Sequence, residues 1–314
     1  MRIGTASFND SQLNAMGRLN GQMADDLGAI ATGKRRTVAS DDPASAARSA
    51  RLERTQANNT RYAAGLDLAE QRLNIMDTSL SGMANQMIRV KELALLASNS
   101  TASPADHQTF LSEALHIQNT LVSLGNAQDG GGAYLFAGAR ASAPAFVADA
   151  ATGAVTYQGL GEAAPVQVGD SASIITTDSG PRVFSAVAGA GGRSVFAVVQ
   201  DFITALQAPE PAPTDDAGLA AQRQAFATAI DGATAATDRI ASSRADLGTR
   251  LNRVDIERAR LTAVGDGLTQ ARSALDDTDY AATITSLQRA STILQATQKS
   301  FAQVSSLSLF NDLR

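Results

Sequence analysis

The side chains able to do chemistry are few in this 314-residue chain, and they stand apart. Its two histidines, His107 and His116, lack the i, i+4 spacing of a helical metal pair. There is no cysteine, which excludes disulfides, thiolate metal sites and thiol nucleophiles. Gly130-Gly131-Gly132 has the freedom of a phosphate loop, but no Lys-Ser or Lys-Thr follows to meet a phosphate, so the run reads as a linker. Asp276-Asp277-Thr278-Asp279 offers carboxylates for calcium without the glycine and distant glutamate of an EF-hand loop; acids favoured at a helix start explain it better. Asp41-Asp42-Pro43 reads the same way, with Pro43 in the first turn. Lys34-Arg35-Arg36 is too short to argue for nucleic acid and reads as a solvated loop. Neither HExxH, GxSxG nor a P-loop occurs. The expectation is a chain with no catalytic, cofactor-binding or metal-ligating residues, and no enzyme.

Composition points away from a globular enzyme too. Aromatics are 4% and tryptophan is absent, whereas alanine, serine, threonine and glutamine are plentiful. Small residues with Leu and Met suit helices packed closely along one another. A net charge of −5 and a pI near 5.1 supply no field that would gather nucleic acid or anionic lipid. The first residues carry no apolar run of signal-peptide length, and no stretch is long and apolar enough to span a bilayer. Export, if it occurs, is expected without an ordinary cleaved signal.

The elements that must position these side chains are announced by two heptad blocks. In the first, steps of three and four give Leu52, Thr55, Asn59, Tyr62, Leu66, Ala69, Leu73, Met76, Leu80, Met83, Met87, Val90, Ala94 and Ala97. This is the stripe of a helix lying along another, about 70 Å long at about 1.5 Å per residue. Thr55 and Asn59 are polar breaks suited to setting register. The second block has one unbroken seam, Leu219, Phe226, Ala233, Ile240, Leu247, Val254, Leu261, Leu268 and Leu275. Its alternate position holds Arg223, Arg244, Arg258 and Arg272, whose stems would cover the seam while their heads reach solvent or acids. Gly248, Gly265 and Gly267 would weaken that helix locally.

Between the blocks, Ser103 as N-cap, Pro104 and Asp106 open a shorter helix. Ala114, Ile117, Leu121 and Leu124 make its stripe, and Gly125 ends it. It is expected to fold back antiparallel on the first long helix. Over 137–214, glycines and prolines punctuate short alternating runs at Ala145–Val147, Val155–Gln158, Val166–Val168 and Ser173–Thr176, with a hairpin turn at Ala151-Thr152-Gly153. A helix bearing Val195, Val199, Phe202 and Leu206 follows, then a stiff linker with Pro209, Pro211 and Pro213. Each end of the chain adds a helix, one with Met16, Leu19, Met23, Leu27 and Ile30, the other with Ile284, Leu287, Leu294, Phe301 and Val304. From Tyr280 to Phe310 only Arg289 and Lys299 are charged. A helix with one apolar stripe and so little charge elsewhere suits burial against several partners. The expected fold is mainly α: an elongated rod of long paired coiled-coil helices from both chain ends, with a small β-rich domain inserted. The division is 1–40 with 280–314 for assembly, 41–136 with 215–279 for the rod, and 137–214 for the insertion. Met16, Met23, Leu27, Leu287, Leu294, Phe301 and Val304 are the expected contacts between helices and between subunits. A signalling coiled coil would carry charged outer faces throughout and no β insertion. A stalked enzyme or adhesin would need a site in 138–214, where no catalytic set occurs.

Three stretches resemble a known family. Ile30-Ala31-Thr32-Gly33-Lys34-Arg35, followed by Ala39-Ser40-Asp41-Asp42-Pro43-Ala44, is similar to the signature after the first helix of bacterial flagellin-family axial proteins. Gly33, Asp41, Asp42 and Pro43 carry that motif. Tyr134-Leu135-Phe136-Ala137-Gly138-Ala139-Arg140 resembles the entry to the outer domain in the hook–filament junction branch. The stretch from Asp279-Tyr280 to Asp312-Leu313 is similar to the family's terminal helix. The resemblance implies a structural part of the flagellum, exported through its type III apparatus with a dedicated chaperone and without signal cleavage. It implies subunits stacked as a homo-oligomeric ring or helical layer, terminal helices inside, between hook-associated protein 1 and flagellin, with no nucleic acid and no membrane. The ending Asn311-Asp312-Leu313-Arg314 resembles flagellin itself, which is the alternative.

Overall fold

The structure, a computed structural model, describes residues 2–35, 40, 42–99, 102–162, 165–185, 192–212 and 214–312, with the side chains of 2–6, 8–9 and 304–312 left aside. Arg36, Ala39, Asp41, Pro213, Leu313 and Arg314 lie outside the described residues, as does the side chain of Val304. Helices dominate: α1 (Arg2–Thr32), α2 (Pro43–Ala97), α3 (Pro104–Gly125), α4 (Gly180–Phe184), α5 (Val195–Gln207), α6 (Asp216–Asp276) and α7 (Tyr280–Asp312). Strands β1 (Phe146–Ala148), β2 (Val155–Tyr157), β3 (Val166–Gln167) and β4 (Ser173–Ile174) are short and confined to the insertion.

The helix boundaries follow their end signals. At α2 the Asp42 carboxylate accepts the Ser45 amide at 3.0 Å, and Pro43 takes the first helical position, where its missing N–H is no loss. At α3, Ser103 and Asp106 form a reciprocal capping box, the Ser103 hydroxyl accepting the Asp106 amide and the Asp106 carboxylate accepting the Ser103 amide. Asp279 caps α7 through the Ala282 amide at 3.0 Å. Gly248, Gly265 and Gly267 do not interrupt α6; packing along a long seam outweighs roughly 1 kcal/mol of helix propensity at each.

The chain divides into a terminal unit, Met1–Asn58 with Ala263–Arg314, and a central unit, Asn59–Thr262. In the central unit the heptad seam of α2 is closed: every seam position from Tyr62 to Ala97 is buried. So are Phe226, Ala233, Ile240, Leu247, Val254 and Leu261 of α6. The two helices run antiparallel, and two arginines of the alternate position find acids on α2, whereas Arg223 donates to the Leu219 carbonyl of its own helix. Arg244 reaches Asp77 at 2.8 Å, and Arg258 reaches Asp67 and Glu70 at 2.8 and 2.7 Å. Asn59 donates to the Leu261 carbonyl at 2.9 Å, a polar tie that fixes the stagger of the pair. Thr55, by contrast, is exposed and bonds only back to Arg51 in its own helix. Helix α3 returns antiparallel to α2, with His107 on the Ala97 carbonyl at 3.2 Å near the turn between them and Arg89 on Glu113 at 2.6 Å farther along.

The insertion consists of two antiparallel two-stranded sheets, β1 with β2 and β3 with β4. Such sheets are too small to stand alone, and aromatic packing supplies what they lack. Phe146 lies 4.5 Å from Phe196 and 5.5 Å from Phe184 between ring centroids, and Phe136 lies 5.1 Å from Phe184. Five aromatic rings, Phe136, Phe146, Tyr157, Phe184 and Phe196, thus meet where sheet, α4 and α5 come together. Ion pairs on buried carboxylates complete the join: Arg72 with Asp129 at 2.8 Å and Arg250 with Asp178 at 2.8 Å. Asp129 also accepts the Gly131 and Ala133 amides at 2.9 Å each, so the triple-glycine run is a stapled turn.

Candidate assembly surface

Helices α1 and α7 pack against each other in the terminal unit. Gln22 Nε2 donates to Ser286 Oγ at 3.1 Å, and Lys34 bridges to Asp277, so one helix ascends as the other descends. Gly33 ends α1 with φ +70, a left-handed conformation costly for residues with a side chain. Its carbonyl accepts the Thr278 amide at 2.9 Å, while the Arg35 amide and guanidinium reach the carbonyls of Asp276 and Leu275 at 2.8 and 3.2 Å. The Thr32-Gly33-Lys34-Arg35 segment therefore seats on the turn between α6 and α7. Near that turn, Ser49 of α2 donates to Asp276 at 2.7 Å and Arg272 of α6 pairs with Glu53 at 2.8 Å. Asp42 and Pro43 start α2, as described above.

The apolar stripes of α1 and α7 are only half covered. Met16, Leu19, Met23, Leu287, Leu294 and Phe301 are half-buried, and Leu27 is 53% exposed. Leu13, Ile284 and Ile293 are also exposed, at 54%, 43% and 52%. The buried line between the helices runs through Ala29 and Ala290. Leu19, Gln22, Ala281, Ala282, Thr285 and Ala290 border a groove of about 600 Å³ along the pair. Periodicity of large residues did not point to these alanines. Close approach of two helices needs small side chains, and that signal is weak in a chain rich in alanine throughout.

Of the two histidines, His107 is spent on structure. His107 is buried, its ring 5.6 Å from that of Phe226, with Nδ1 2.5 Å from Glu210 and Nε2 facing the Ala97 carbonyl. Among the described residues no cluster of His, Cys, Asp and Glu could hold a metal ion, and no helix is long and apolar enough to cross a membrane.

Comparison with known proteins follows the same outline. The bacterial flagellin N-terminal helical region matches residues 3–141, and the bacterial flagellin C-terminal helical region matches 230–313. Flagellar hook-associated protein 3 of Escherichia coli strain K12 is 30% identical over 298 residues, covering 90% of each chain. The protein of the same name from Salmonella typhimurium is 27% identical over 327 aligned positions, covering 99% of each. Among solved structures, FlgL of Xanthomonas campestris superposes with a TM-score of 0.63 at 20% identity, over 71% of this chain and 99% of that one. The flagellar junction protein FlgL of Legionella pneumophila gives 0.58 at 17%, over 66% and 99%. Long helices from both chain ends with a small inserted β region, and relatives that match along nine-tenths of the chain, lead to one conclusion: this protein belongs to the bacterial flagellin family, with the hook-associated protein 3 relatives, and is a structural component of the bacterial flagellum.

Proposed function

We propose that this protein joins the hook to the filament, seated between hook-associated protein 1 and the first flagellin subunits, and that copies of it form a ring or helical layer through α1 and α7. The observation that carries this reading is the contrast between the two units. The seam of the central unit is closed, whereas Leu13, Leu27, Ile284 and Ile293 of the terminal pair stay open to solvent. A helix pair that buries so little apolar surface scarcely offsets the entropy of ordering its chain. Neighbouring copies would supply the missing contacts, so ordering and assembly would be one event. On this reading the segments 1–40 with 280–314 assemble, 41–136 with 215–279 form the shaft, and 137–214 lies outward. Export through the flagellar type III apparatus, on a dedicated chaperone and without signal cleavage, goes with the family.

Leu294→Asp tests it, placing a charge in the half-covered stripe while leaving the central unit untouched. The expected result is loss of assembled particles, with the central helices intact by circular dichroism. Assembly at the normal level would refute the role of α7. Deletion of the gene separates junction protein from flagellin: hooks without filaments, and flagellin shed as monomer into the medium, are expected. Intact filaments would reject the junction role.

A further inference from the structure

Sulfur enters this chain only as thioether, since it has six methionines and no cysteine. Met1 lies outside the described residues, and the other methionines fall into two settings. Met76, Met83 and Met87 lie in the closed seam of α2, each 0% exposed. Met16 and Met23 are half-buried on the open stripe of α1, three residues before Leu19 and four after it. The Gln22–Ser286 bond shows that this stretch of α1 lies against α7, which itself holds no methionine. Asp26, one turn beyond Met23 on the same face, has a carboxylate oxygen, Oδ2, that is buried with no hydrogen-bond partner. No donor reaches that oxygen, and a second bare acceptor beside it would go equally unanswered.

We propose that Met16 and Met23 are an oxidation site for peroxide-class oxidants, and that sulfoxide at the pair blocks assembly. This rests on the proposed assembly through α1 and α7 and adds a chemical control to it. The thioether sulfur attacks one peroxide oxygen, the O–O bond breaks and an S–O bond forms. Sulfur gives up an electron pair, and the departing oxygen takes both protons and leaves as water. The product is a polar S=O group that accepts hydrogen bonds and donates none, on a side chain that was apolar. In the free chain each of these residues is partly open to solvent, so water answers the new oxygen. Under a neighbouring copy that oxygen would be buried in an apolar stripe without a donor, which disfavours the contact. Sulfoxide therefore leaves the free fold standing and acts on assembly. The central unit is spared, because a thioether in the closed seam meets no oxidant until the seam opens. Assembled copies are shielded in their turn, so the site responds to oxidant before assembly and not after it.

Hydrogen peroxide added to the free full-length protein, followed by peptide mass spectrometry, tests the site. Met16 and Met23 should each gain one oxygen about tenfold faster than Met76, Met83 and Met87. Protein oxidised at both should form assembled particles about tenfold less well, with the circular dichroism of the central helices unchanged. Reduction by a methionine sulfoxide reductase should restore assembly. Met16→Leu with Met23→Leu keeps the stripe apolar and should assemble with or without peroxide. Met16→Gln with Met23→Gln is polar from the start and should fail to assemble without any oxidant. Equal oxidation rates in the two settings, normal assembly of the sulfoxide form, or loss of assembly by the peroxide-treated leucine variant would overturn the proposal. Oxidation of Met16 and Met23 as fast in assembled particles as in the free protein would instead remove the assembly reading beneath it.

Discussion

Single residues in this protein act mainly as backbone fixtures and buried counter-charges. Gly138, in the entry segment Tyr134–Arg140, has φ +64, and a Cβ there would sit 2.2 Å from the Gly161 carbonyl oxygen. Gly138→Ala is therefore expected to cost about 1–2 kcal/mol for the left-handed backbone, and more for moving the Gly159–Gly161 segment. Denaturant unfolding of the central unit would measure it, and an unchanged midpoint would count against the close approach. Asp129 shows how charge acts. Burial alone would raise its carboxyl, but the Ala133 amide, the Arg72 guanidinium and the Gly131 amide outweigh that and hold it below the ordinary aspartate range. A depressed carboxyl stabilises the fold above its unfolded value near about 4, and that contribution is lost as pH falls through the lower folded value. Glu113, held down by Arg89, and Asp106, held down by the Ser103 amide, act in the same direction. The central unit should thus lose stability on acidification below about pH 4. Asp129→Asn should be less stable at neutral pH and show a shallower acid dependence, read from unfolding midpoints at several pH values.

At the scale of elements, α2 and α6 combine a continuous apolar seam with arginines along its flank, and the two contribute unequally. The partners of Arg258 are 73% and 40% exposed at the side chain, and such pairs are worth about 0–1 kcal/mol. Met76 lies fully inside the seam, where truncation to alanine costs about 2–5 kcal/mol. Met76→Ala should therefore destabilise the central unit several times more than Arg258→Ala in equilibrium unfolding, and equal effects would contradict this division of labour. The arginines set which acids lie opposite rather than how strongly the helices hold. Asn59 does the same through one bond to the Leu261 carbonyl. The sequence reading of these elements was close because heptad spacing and cap residues are local signals. It missed α4, a five-residue helix at Gly180–Phe184 whose Val183 and Phe184 are buried among aromatics from distant segments. No periodicity can announce an element that short.

For the whole molecule, the two units should differ in dynamics when the protein is free. Amides of α2 between Leu66 and Ala94, inside the closed seam, should resist hydrogen exchange far longer than those of α1 and α7. Equal protection in both would mean that the terminal pair is stable alone, and would remove the coupling of order to assembly. By itself, the sequence determined the helical class, the positions of the long helices and their caps, the place of the insertion and the family. Each of these is written in spacings of a few residues or in short motifs that fold alike wherever they occur. Only the tertiary structure decided which residues meet: Gly33 with Thr278, Arg72 with Asp129, the aromatic cluster at the base of the insertion, and alanines rather than leucines at the buried line of the terminal pair. Contacts of this kind join segments as much as 264 positions apart, as Gln22 joins Ser286. Which surfaces a chain brings that close depends on how all its helices pack at once, not on any local pattern.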